Sequence, residues 1–164
     1  MKVIYANGPA PLVPAALKIV EKYDPALYAR MQATDWTVHT FPPADVPREI
    51  IYGFILGAEA ATMGNEGDVR RLAPQWVNHT FLLGTQMFTD DAKGMKVPAS
   101  YLLAHTLAHE FDHLFGDESE AKAYDAGAAF VRKLPAAYSK KILPVIARTK
   151  QAALAHEGPY ALTQ

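Results

Sequence analysis

The sequence predicts an α+β fold, with short strands in the first half of the chain and helices in the second. Three observations carry that expectation. Asp35–Phe41, DWTVHTF, alternates and is rich in β-branched and aromatic residues, as a strand requires. From Pro98 to about Phe115, and again from Asp117 to about Lys133, apolar residues recur at helical spacing. The chain has 164 residues and is 50% hydrophobic, so residues 1–164 suit one domain with its own core.

The elements follow in order. Lys2–Tyr5 reads as a short strand. Pro14–Tyr23 and Pro25–Met31 read as helices, with Asp24 capping the second and Pro25 in its first turn, where a missing N–H does no harm. With the strand Asp35–Phe41 after them, they suggest a β-α-β start. Arg48–Met63 carries two signals. Ile50, Ile51, Tyr52, Phe54, Ile55 and Leu56 favour a strand, whereas Gly57–Met63 has a helical composition. Gly64–Gly67 reads as a turn. His79–Leu83, extending toward Phe88, is a further strand, and Thr89–Gly94 is a loop. Gly116 suits a stop between the two long helices. Pro135–Glu157 forms one or two terminal helices, broken near Pro144.

Composition removes several classes of function. The formal net charge is −1, and Lys and Arg are scattered, so neither a nucleic acid nor an anionic membrane surface has electrostatic support. The absence of cysteine excludes disulfides and thiolate metal sites. Gly8, Pro9, Pro11 and Pro14 interrupt the N-terminal stretch, which has no apolar run of signal-peptide length. No stretch approaches the roughly 20 apolar residues of a membrane helix. The expected location is cytoplasmic.

The chemistry is concentrated in His105–Gly127, HTLAHEFDHLFGDESEAKAYDAG. It contains HExxH, formed by His109, Glu110 and His113. Two histidines four residues apart on a helix are separated by about 40° around the axis and one turn along it. Both imidazoles can then reach one metal ion at about 2.0–2.1 Å. Glu110 sits about 100° away, at the edge of that face, where it can reach a water on the ion without taking a coordination position. Leu103, Leu107, Phe111 and Leu114 form an apolar stripe nearly opposite the histidines, so the helix can be anchored on one side and present ligands on the other. The bland alternative is a helix with two solvated histidines and an exposed acid. His105 extends the ladder by one turn, but it lies about 12 Å from His113 along the axis, too far to share an ion. It reads as a packed or solvated histidine, at most lining the cleft.

Zinc needs at least one more protein ligand. Glu120, at the start of the next helix, is favoured, with Glu118 next and Asp117, Asp125 or a distant histidine after it. Against Glu120 stands a capping-box reading of Asp117-x-x-Glu120, in which the carboxylate merely satisfies a backbone N–H.

This stretch resembles the zincin metallopeptidases, and among them the gluzincins, through His109, Glu110, His113 and Glu120. Glu120-x-x-Ala123-Tyr124 is similar to the glutamate helix of several small zincins. The resemblance covers about 20 residues closely. It implies one zinc ion per chain, a peptide or protein substrate, and a minimal zincin-like fold. In that fold a small mixed sheet packs on the HExxH helix, followed by a glutamate helix and C-terminal helices. It further implies a strand that lines the cleft and pairs with extended substrate, for which His79–Phe88 is the candidate. The chain departs from the larger gluzincins in its short gap from His113 to Glu120. Tyr124 also stands where a thermolysin-like glutamate helix has Asp. The metzincin pattern HExxHxxGxxH fails, because its third ligand would fall on Ser119.

The expected activity is zinc-dependent peptide hydrolysis with Glu110 as general base. Tyr124, His79 and Tyr160 are candidates to face an oxyanion. Asp112, Asp117 and Asp125 are candidates to orient the ligating imidazoles. The competing expectations are a metal-binding interaction protein without catalysis and a latent protease with its cleft covered by a terminal segment.

Overall fold

The computed structural model describes residues 2–4, 12–34, 36–41, 60–63, 79–115 and 119–157. Six helices are described: α1 (Leu12–Tyr23), α2 (Pro25–Ala33), α3 (Thr85–Met95), α4 (Ala99–Phe115), α5 (Glu120–Val131) and α6 (Ala136–Glu157). Among the described residues helix predominates, and the fold is mostly helical. This corrects the α+β class, and with it the small mixed sheet expected to pack on the HExxH helix. The principal neighbours of α4 are α5 and α1.

The core shows why helices dominate. Val13, Ala16, Leu17 and Val20 form the buried stripe of α1. They meet Leu103, Ala104, Leu107 and Phe111 of α4, which in turn join Ala128, Phe130 and Val131 of α5 and Ile142 and Ile146 of α6. The α1 and α4 sets recur every three or four residues, and each therefore occupies one face of its helix.

Besides the helices, four short segments pair along their backbones: β1 (Lys2–Ile4), β2 (Trp36–Phe41), β3 (Ala60–Met63) and β4 (His79–Gly84). Their order is β1-β2-β4-β3, with β1, β2 and β4 parallel and β3 antiparallel to β4. From β2, Trp36 and Val38 reach into the helical core. The Trp36 indole N–H donates to the Met31 carbonyl at 2.7 Å, which satisfies a donor that burial would otherwise strand. Its ring meets the edge of Phe111 on α4 at a centroid distance of 5.7 Å.

Several elements differ from the sequence expectation. Ala60–Met63 is extended rather than helical, and Arg48–Leu56 lies outside the described residues. β4 ends at Gly84, and the expected loop Thr89–Gly94 is the middle of helix α3. β4 is also paired on both sides, with β2 and β3, so its backbone is not open to an extended substrate over this span. At the other end of the chain, α6 runs unbroken with Pro144 inside it.

Two helix ends have clear causes. At the start of α2, the Asp24 side chain accepts from the Leu27 amide, with Pro25 in the first turn, as its sequence predicts. At the end of α3, the Val97 amide bonds the Ala92 carbonyl and the Lys96 amide bonds the Lys93 carbonyl. This is a Schellman closure, and it places Lys96 at φ 54°. No described helix is long and apolar enough to cross a membrane.

Lys96 occupies a left-handed position that suits glycine, whereas its side chain is exposed. Lys96→Gly is therefore expected to stabilise the fold by up to about 1 kcal/mol, read as a rise in urea midpoint at unchanged slope. A fall in midpoint would show that the lysine side chain contributes more than its backbone strain costs.

Candidate metal centre

The site forms where α5 packs back along α4. His109 and His113 project one turn apart from α4, and Glu120 comes from the first turn of α5. Glu120 Oε2 lies 3.5 Å from His109 Nε2, and Oε1 lies 3.4 Å from His113 Nε2. One ligand atom from each of the three side chains falls within 4.8 Å of the others. The N-cap of α5 is Ser119. Glu120 is therefore the first residue of the helix, not the third, and the capping-box geometry does not arise. Its carboxylate is turned to the two imidazoles instead.

The donor set can be tested against a metal ion. Tetrahedral zinc with bonds of about 2.0–2.1 Å puts its ligand atoms about 3.3–3.4 Å apart. The two carboxylate–imidazole separations, one to each oxygen of Glu120, are close to that spacing, and the three ligand atoms lie within 4.8 Å of one another. The nitrogen that His113 presents to Glu120 is buried and makes no hydrogen bond. Its neighbour is the Glu120 carboxylate at 3.4 Å, and a cation between the three groups would bond all of them. Two neutral imidazoles and a carboxylate are also a chemically suitable zinc set. The residues fit the ion.

Electrostatics within the trio agree with the geometry. His109 and then His113 hold the Glu120 carboxyl well below the usual carboxylate range, against the opposing effect of burial. The Glu120 carboxylate beside it raises the His113 pKa, outweighing burial, with Glu110 and Asp112 adding smaller contributions. Glu110 is buried, with Oε1 4.0 Å from His109 Nε2, at the margin of the ligand face.

The remaining sequence candidates separate clearly. Asp125 is exposed and paired with Lys150 at 2.6 Å, so it does not orient an imidazole. Asp112 faces a groove between α2, α4 and α5 that Leu27, Arg30, Phe111 and Phe130 also line. Tyr124 packs its ring against His109 at a centroid distance of 4.4 Å. Asp117, Glu118, Gly116 and Tyr160 lie outside the described residues, as does the His79 side chain. His105 is buried beside α5 and makes no hydrogen bond at either ring nitrogen.

Sequence reasoning did not single out Gly127. A Cβ there would lie 2.8 Å from His105 Nε2 and 3.4 Å from His109 Cβ. The available signal was its spacing, because Gly127 stands seven residues after Glu120 and so shares its helix face.

No known protein family, curated protein or solved structure matches the chain.

Two outcomes follow from this packing. Gly127→Ala should cost about 1–2 kcal/mol despite alanine's better helix propensity, because the buried His105 ring must move. Gly94→Ala is the control, since its Cβ would meet nothing within 4 Å. If denaturant midpoints fell equally for both, the contact at Gly127 would not be tight.

The second outcome concerns acid. Burial, and to a lesser degree His109, pushes the His105 pKa down to about 3 from 6.5. The folded value lies below the unfolded one, so the unfolded chain binds the extra proton between them. The stability contributed by neutral His105 is complete above about pH 6.5 and is lost as pH falls toward about 3. The slope approaches about 1.4 kcal/mol per pH unit for one proton. Denaturant unfolding of metal-free protein across this range should fall more steeply for wild type than for His105→Leu. Parallel declines would refute the assignment.

Proposed function

We propose that the protein is a zinc-dependent metallopeptidase in which His109, His113 and Glu120 hold the ion and Glu110 is the general base. The observation that carries the reading is the convergence of those three side chains from two helices, with Glu110 buried beside them. The likeness of HExxH and its following glutamate helix to gluzincins supports the same reading at the level of the motif. When bound, zinc supplies Lewis acidity, which polarises a carbonyl and lowers the pKa of water toward neutrality. The chain's own work is then divided among its residues. His109 and His113 would present ring nitrogens one turn apart on the same helix, and Glu120 would contribute the negative charge that offsets the cation. Glu110 lies beside His109 at the margin of the ligand face, where its carboxylate would take a proton from water and deliver it to the leaving amine. The substrate class is a peptide or protein, and the cytoplasmic setting expected from the sequence belongs to this proposal.

The test uses metal analysis and a broad peptide mixture read by mass spectrometry. Purified protein should carry up to one zinc per chain. His113→Ala should lose it, whereas His105→Ala should keep it. Glu110→Gln should retain zinc and lose hydrolysis by at least about 10²–10⁴-fold. Undiminished cleavage in Glu110→Gln would reject this mechanism. A zinc-loaded wild type that cleaves nothing would leave a metal-binding protein without peptidase activity.

A further inference from the structure

The histidines of α4 step by four residues: His105, His109, His113. Glu120, Tyr124 and Gly127 step along α5 by four and three, so each set occupies one face of its helix. The two faces meet antiparallel and in register. Glu120 lies against His113 and His109, Tyr124 against His109, and Gly127 against His105.

His109 is the residue most enclosed by this match. The Tyr124 ring sits 4.4 Å from its imidazole at 60°. The His113 ring sits at 5.0 Å and 77°, and His105 at 6.4 Å and 50°. Meanwhile Nε2 of His109 is turned toward Glu120, and Nδ1 is buried and makes no hydrogen bond. A metal-ligating histidine is ordinarily oriented by a hydrogen bond from its second nitrogen. Here packing has to set the ring orientation.

We propose that Tyr124 is the positioning residue of the metal centre, its ring holding the His109 imidazole so that Nε2 faces the ion. This inference rests on the metal-centre reading. It gives α5 two roles at the site, because the helix that supplies the Glu120 ligand also aligns the ligand on the opposite helix. Tyr124 acts through His109, by the contact between the two rings. Tyr124→Phe therefore preserves the function and Tyr124→Leu removes it.

The experiment measures zinc affinity by chelator competition alongside the imidazole proton resonances of the metal-free protein. In wild type the Tyr124 ring current should displace the His109 ring protons from ordinary imidazole positions. Tyr124→Phe should keep both that displacement and the wild-type affinity. Tyr124→Leu should lose the displacement and bind zinc about 10–100-fold more weakly. A residue that only supports the fold would lower the melting temperature and leave the affinity of folded protein unchanged, which would overturn the proposal. Wild-type His109 resonances without the displacement would overturn it as well, and that result needs no zinc. Wild type that binds no zinc would defeat the metal-centre reading and this inference with it. Zinc bound equally by wild type and Tyr124→Leu would defeat the inference alone. If Tyr124→Leu does not fold, the wild-type resonances and the Tyr124→Phe affinity still decide.

Discussion

Where α5 crosses α4, Gly127 lies against the His105 ring and the base of His109, with no side chain of its own to hold the helices apart. That contact sets the register of the pair, because the residues stepping back along α5 must fall opposite whatever steps along α4. From Gly127 the next positions on the same face are Tyr124 and Glu120, and they arrive at His109 and at the His109–His113 pair. The placement of Glu120 against the two histidines is thus a consequence of helix packing two turns away. Phe111 and Leu107 secure the opposite side of α4 in the core, with Trp36 against Phe111, so α4 is held while α5 presents its residues to it.

The same close packing leaves four imidazole nitrogens of His105, His109 and His113 buried without a hydrogen bond. Unpartnered buried nitrogens are destabilising, and they are rare in native interiors. For His113 the nearby Glu120 carboxylate offsets the cost by favouring the protonated ring, while the histidines favour ionised Glu120. A proton and a metal cation would therefore compete for the His113 nitrogen, with the carboxylate stabilising either one. His105 has no such carboxylate, and burial keeps it neutral. The ladder looks uniform in sequence, yet its members are chemically distinct because only two of them face Glu120.

Residues whose roles are set within one or two helical turns were legible in the sequence. The spacing of His109 and His113, the Asp24 cap and the apolar stripe of α4 all belong to that class. Glu120 was legible as a residue, but its role depended on where the helix began. An N-cap at Asp117 would have made it a capping partner, and the N-cap at Ser119 turns it to the histidines. Thr89–Gly94 was misread because Asp90, Asp91 and Gly94 have poor helix propensity. Burial of Ala92 and the closure at Lys96 and Val97 override that preference. The fold class was misread for a related reason. β-branched and aromatic runs signal extended backbone locally, but they do not say which elements fill the interior, and here the helices do. Gly127 escaped notice because a close approach between helices leaves no local pattern beyond a shared face.

The position of Glu120 at the very start of α5 has one more consequence. The first turn of a helix has amides without intrahelical partners, and the Ser119 side chain makes no capping hydrogen bond there. Glu120 is the acidic residue of that turn, which suits the positive end of the helix dipole. Its carboxylate is also the link that ties this turn to α4. The two histidines project from within α4, whereas Glu120 projects from the first turn of α5. An ion held by all three would fasten that end to α4. Binding free energy and the ordering of the first turn of α5 would then be the same quantity seen from two sides.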